Sequence, residues 1–467
     1  MGHFAGHRPV IMKYMFFIAA VLATVPLTVT LLCERRFIRW AMLGLMVPMV
    51  VFNSTAINFF SDEYYRGTSR GMEVSIIYLF AAVILATFAI LKYKLRLFPD
   101  WGSRLYLLYF IFCFFSLTNA DFYGYSFFEY WKMVMMHLVF LTVYYYLCYS
   151  DGDFDIIMYG MAVVTAVNFV VVVREHFSGL YQVRGIFPHQ NSMAMCMIVA
   201  GTLFFARFFN GIRGFRSTVF LIAFALATAS LIRTYSRGAI FCYPLAGVIT
   251  LTCSVRKVFS ARKAYWIVAL SLIGAVVVTL FLPAVINRFQ NAPESSAITR
   301  KNFAIAASNM IKSAPWAGVG LNNWGVKINP PYQFSEHRDP TRGYSEEYKD
   351  GIVETVYLLV ASECGLPCLA TLLLWLWYYW FSAFLLLKKL RNTRYFYIPA
   401  GLLGGLFGIY LQSILEWVLK QQMNFIWMMT GFAFLSYLNT HWKELVAAEE
   451  AEDAAFRTAG GGEAYEK

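Results

Sequence analysis

The sequence predicts an all-α protein that threads a membrane 12 or 13 times and carries one large, partly helical loop on the outer side. Three observations predict it. Apolar runs near 20 residues, the length that spans a bilayer as a helix, recur along the 467-residue chain. Charged residues make up only 14% of it, against about 25% in soluble domains. A single long polar stretch, 283–353, interrupts the apolar runs.

The expected spans are 12–33, 38–58, 71–91, 102–118, 127–148, 155–173, 192–208, 217–232, 237–254, 265–282, 355–387, 396–416 and 422–440. The first lacks a convincing cleavage site and is expected to be retained. The run 355–387 exceeds one span, so it is expected to begin at the interface and bend near Gly365-Leu366-Pro367. Aromatic residues, 18% of the chain, fit interfacial belts and a substrate-lined cavity. Residues 1–442 read as one membrane domain. The tail from 443 to 467, with seven acidic and three basic residues, reads as solvated.

Charge sets the orientation. Basic clusters recur at Arg35 to Arg39, Lys92 to Arg96, Arg207 to Arg216, Arg256 to Lys263 and Lys388 to Arg394. Such loops stay cytoplasmic. That puts 59–70, 119–126, 174–191, 233–236 and 283–353 on the other side. The net charge of +12 is met by anionic membrane lipids and implies no nucleic acid. The sequence has no nucleotide-binding loop, no HExxH and no cysteine–histidine cluster. No metal and no cofactor is therefore assigned. Cys364 and Cys368 read as packing residues, and Glu416 with Lys420, four apart, as a simple helix pair.

Four outer constellations carry the chemistry. Arg184-Gly185-Ile186-Phe187-Pro188-His189-Gln190-Asn191 opens a span. Arg184, His189 and Asn191 there are either substrate contacts or an interfacial cap with a snorkelling arginine. Arg233-Thr234-Tyr235-Ser236-Arg237 places two arginines in a tight outer turn, against the usual charge bias. That arrangement suggests an anionic partner held by guanidinium forks at a helix start, or else a turn that anchors its helices. In the large loop, Arg300 starts an amphipathic helix as a further phosphate-facing cation. Trp316 and Trp324 flank Gly318 and Gly320, either to stack on sugars or to sit at the interface. Finally, Glu354 opens the next apolar run. It is read as a general base or as a helix-start acid, with His337 as the alternative base. Glu363 is expected to pair with loop donors.

Arg184-Gly185-Ile186-Phe187 with Asn191, Ser236-Arg237-Gly238, Pro315 with Gly318-Val319-Gly320, and Glu354-Thr355-Val356-Tyr357-Leu358 with Glu363-Cys364-Gly365-Leu366 resemble, in order and spacing, the bacterial O-antigen ligase and O-antigen polymerase superfamily. The resemblance is best over about 180–370. It implies a multi-pass inner-membrane glycosyltransferase whose active site faces the periplasm and needs no metal or nucleotide. Its donor would be a glycan on undecaprenyl diphosphate. Its acceptor would be lipid A–core in a ligase or another lipid-linked repeat in a polymerase, with polysaccharide assembly proteins as further partners. Arg184 and Arg237 match the arginines that hold the diphosphate. Ligases usually have a His-Asn pair where this chain has Glu354-Thr355, which leaves room for a capsule or exopolysaccharide polymerase. Competing readings are a lipid-linked glycan transporter or flippase, which would carry polar residues along a midplane path, and a non-catalytic scaffold.

Overall fold

A computed structural model describes residues 7–62, 65–211, 214–257, 259–290, 294–329, 331–335 and 352–458. The architecture is a helical bundle. The N-terminal part comprises α1 (His7–Cys33), α2 (Arg36–Met46), the one-turn α3 (Phe52–Thr55) and α4 (Ile76–Ile90). The bundle continues through α5 (Trp101–Phe115), α6 (Tyr123–Tyr149), α7 (Phe154–Phe177), α8 (Gln190–Asn210), α9 (Phe215–Arg233), α10 (Arg237–Lys257) and α11 (Ala261–Gln290). The loop region holds α12 (Glu294–Ser313) and the short α13 (Trp324–Lys327), and α14 (Val356–Lys389), α15 (Tyr397–Gln412) and α16 (Gln422–Thr458) close the chain.

Among the described residues, eight helices are long and apolar enough to cross a membrane, and α4 is a shorter apolar helix. Several of the 13 apolar runs fold differently from a simple span. The run 38–58 is broken. Pro48 lacks a donor N–H, and the chain passes from α2 through a 3-10 turn, Val47–Val51, into α3. The run 71–91 gives its first residues to a short antiparallel ribbon, Ile57–Phe59 against Met72–Val74, so α4 starts only at Ile76. The polar stretch begins later than expected, because α11 continues through Pro283 to Gln290. The acidic tail likewise begins as the continuation of α16, helical to Thr458.

The centre is α8, buried along nearly its whole length and packed against α9, α10 and α15. Apolar burial gives no net drive inside lipid, so close backbone approach must supply dispersion contacts. The Gly401, Gly404, Gly405 and Gly408 stripe of α15 provides it. A Cβ on Gly401 would come within 2.9 Å of Leu203 Cα, and one on Gly408 within 2.7 Å of Ile198 Cγ2.

The loop docks on the bundle through the α14 kink. Gly365 adopts φ 83° and Pro367 follows it, as the sequence suggested. Pro367 has no N–H for the Glu363 carbonyl. Gly320 N donates to that carbonyl at 2.9 Å, Val319 N donates to Ser362 O at 2.9 Å, and Leu366 N donates to Pro315 O at 2.8 Å. Gly318, at φ 69°, has its Cα against the Glu363–Cys364 peptide, where no side chain fits. Asn322 joins a second outer segment. Its amide accepts from Thr68 N and donates to Ser69 O and Tyr125 O, each at 2.8 Å. Asn119 Nδ2 donates to Gly318 O at 2.8 Å. The segments around 65–70, 119–126 and 315–324 therefore meet on one face of the bundle.

Beneath this joint lies a buried quartet of charges. Glu129 pairs with Lys132 at 2.6 Å and with Lys420 at 3.1 Å, and Lys420 also faces Glu363 at 3.8 Å. Burial pushes the Lys420 ammonium down, but Glu129 and Glu363 more than offset it and hold the group above its ordinary value. Trp324 N donates to Glu363 at 3.3 Å, so Glu363 does accept from the loop. Glu129→Ala would leave the buried Lys132 ammonium without its carboxylate and Lys420 with Glu363 alone, a class of change that costs about 3–5 kcal/mol. A marked fall in thermal unfolding midpoint of the detergent-solubilised protein is expected, and an unchanged midpoint would refute the quartet's structural role.

Candidate functional site: an acid–arginine cluster at the bundle mouth

The turn after α15 organises the site. Val356 N donates to Ser413 O at 3.2 Å and Thr355 Oγ1 to Ile414 O at 2.8 Å, which fixes the start of α14, and Glu354 with it, against residues 413–416. Arg300 reaches in from α12, which packs on α14. Its guanidinium pairs with Glu354 through Nε and with Glu416 through Nη2 at 3.4 Å. Arg237, the first residue of α10, acts on Glu416 electrostatically, and Gly238 lies against Leu415 and Gln412. Gln412 Nε2 donates to Asn191 O at 3.4 Å, and Asn191 hydrogen-bonds the Glu416 carboxylate.

Glu416 was the residue that sequence reasoning missed. Its expected partner, Lys420, belongs to the buried quartet instead. The reason is geometric: the chain between them is a turn followed by the 3-10 helix Val418–Lys420, so the helical four-residue spacing does not apply. The one available signal was an acid at the end of an apolar run. Arg300 also departs from expectation, since its charge is engaged by two carboxylates rather than presented alone to a phosphate.

The other expected residues divide. Arg184 and Gly185 donate their backbone N–H groups to Glu175 Oε2, both at 2.8 Å, and the Arg184 side chain lies 4.0 Å from Glu175, 64% exposed. Its link to the cluster runs through His189, whose Nδ1 accepts from Asn191 N at 3.2 Å. Burial, and then the Arg184 charge, hold the His189 imidazole below its usual value, so it is neutral at pH 7. Arg233 ends α9 beside Tyr235, which takes φ 47° and stacks on Tyr181 with centroids 5.0 Å apart. Trp316 is 79% exposed. Trp324 is not available to a sugar: it is fully buried, edge-on to Phe303 within the loop's own apolar core. His337 lies outside the described residues.

A cavity of about 510 Å³ lies among the neighbouring helices. It opens among α8, α9, α10 and α11, and its walls, including Phe205, Phe224, Leu231, Tyr243 and Val248, are almost wholly apolar. Ile232 and Ile240 line it, which brings it to the turn that carries Arg233 and Arg237.

Residues 222–373, about a third of the chain, match the family model described as O-antigen ligase. Over that stretch the chain is similar to the O-antigen ligase/polymerase superfamily. No curated protein matches it. The O-antigen ligase match takes in Arg233, Arg237, Arg300 and Glu354, and leaves Arg184, His189, Asn191 and Glu416 outside it.

Glu416 gives the cluster a pH signature. Burial first, and the Glu354 charge second, raise its carboxyl from 4.5 to about 7, while Arg300, Asn191 and Arg237 pull it down. The folded state therefore holds this proton more tightly than the unfolded chain. The resulting stability is fully present below pH 4.5 and is lost as pH rises through about 7. Thermal unfolding of the wild type should show that decline between these values, and Glu416→Gln should remove this part of it.

Proposed function

We propose that this O-antigen ligase/polymerase-type protein is a glycosyltransferase of the bacterial inner membrane. It moves a glycan from undecaprenyl diphosphate to a sugar hydroxyl at the periplasmic face. The observation that carries the reading is the meeting of Arg237, Arg300, Glu354 and Glu416, with the Arg237 turn bordering an apolar cavity lined by Ile232 and Ile240. A prenyl diphosphate needs that combination, an oily slot for its chain and fixed cations for its head.

The chemistry follows from the charges. The acceptor oxygen bonds to the anomeric carbon as the bond from that carbon to the phosphate oxygen breaks, which inverts the centre. Negative charge grows on the departing diphosphate, and Arg237, aided by Arg233 and Arg184, stabilises it where it forms. The acceptor proton goes to the paired carboxylates. Glu354 is held by Arg300. Glu416, with its carboxyl near 7, is matched to proton transfer at neutral pH. Arg300 keeps the two acids adjacent and balances one of them. The outer loop orients the acceptor and restricts water that would hydrolyse the donor. In this reading neutral His189 and exposed Trp316 contact sugar.

The test supplies purified protein with a lipid-linked repeat, with and without lipid A–core. A ladder of longer prenyl-linked glycans identifies another repeat as acceptor, transfer only to core lipid identifies a ligase, and no transfer to either refutes the reading. Arg237→Ala should lower turnover by about 100-fold, the scale of losing one charge-stabilising donor, at unchanged protein level. Equal activity at matched expression would remove its role.

A further inference from the structure

Away from the acid–arginine cluster, three cysteine thiols meet in the bundle. Cys113 comes from α5, and Cys364 and Cys368 come from α14, on either side of the Gly365 kink. The three sulfurs all lie within 4.8 Å of one another, and Cys113 Sγ is 3.6 Å from Cys368 Sγ. All three side chains are buried, and all three are free thiols. Three sulfurs bound at about 2.3 Å to one ion stand about 4 Å apart, which is the spacing found here.

The surroundings complete a soft-metal site. The Tyr130 hydroxyl is buried, has no hydrogen-bond partner among the described residues, and interacts electrostatically with all three thiols. The Lys420 ammonium, held in the quartet, also acts electrostatically on Cys113 and Cys364. Gly318, against the backbone of Glu363 and Cys364, also lines an open outer pocket of about 410 Å³ with Asn119 and Asp121.

We propose that Cys113, Cys364 and Cys368 bind one monovalent copper ion, which clips α5 to α14 directly beneath the loop joint. Thiolates select soft ions, and three sulfurs without a carboxylate or imidazole suit three-coordinate Cu(I) better than four-coordinate zinc. Each thiol that binds releases its proton to solvent, and no electron is transferred. The proposal does not depend on the transferase reading.

The experiment loads the full-length protein in lipid nanodiscs with Cu(I) alone, without oxygen, against a Cu(I) chelator, and reads metal per chain by mass spectrometry. One ion per chain is expected. Cys113→Ser and Cys368→Ser should each weaken binding by about 100-fold or more, exceeding the 10–100-fold typical of outer-shell partners. A variant with Cys33, Cys148, Cys196, Cys242 and Cys253 replaced by serine should bind like the wild type, which separates the trio from adventitious thiols even if a trio variant folds poorly. Failure of the wild type to hold one ion, loss of binding in the five-serine variant, unchanged binding in a folded Cys113→Ser protein, or tighter binding of zinc than of Cu(I) would overturn it.

Discussion

Lipid cannot hydrogen-bond a peptide group, so a kinked membrane helix must find partners for whatever carbonyls the kink releases. In α14 the kink at Gly365 and Pro367 frees backbone groups between Ser362 and Leu366, and the segment Pro315–Gly320 satisfies them. That exchange fastens a polar loop to an apolar bundle. It explains why residues as small as Gly318 and Gly320 stand at the joint, and why the loop has a fixed position from which α12 can project Arg300.

Charge neutralisation governs the layer around the joint. The quartet of Glu129, Lys132, Glu363 and Lys420 sets acids against ammoniums in a region where a lone charge would be costly. The mouth is balanced differently: two arginines face two acids, and one acid, Glu416, sits in a dry enough place to keep its proton near neutrality. The first arrangement is closed, with every charge engaged inside the bundle. The second is part-exposed, and the turn that carries Arg233 and Arg237 borders an apolar cavity. The two clusters thus differ in solvent access.

The family match and the geometry inform different things. The O-antigen ligase stretch, 222–373, takes in the arginine turn, the loop and Glu354. Glu416 and Asn191, which complete the cluster in space, come from either side of that stretch. The pocket thus depends on α8 and the α15–α16 turn as much as on the matched segment, and the central packing of α8 against α15 is what brings the two ends together.

Local chemistry alone determined the helical class, the membrane setting, the α14 bend and the tight turn between two helices with Arg233 and Arg237. Hydropathy, proline and charge bias act over a few residues and can be read in order. The same signals did not reveal where apolar runs break, as at Pro48, or that α11 runs on through Pro283. They also paired Glu416 with Lys420 and offered Trp324 to a sugar. Tertiary structure decided these points, because each turns on a partner far away in sequence: Glu129 for Lys420, Arg300 for Glu416, Phe303 for Trp324 and Cys113 for Cys368. Burial and pairing belong to the packed chain, and spacing along the chain does not encode them.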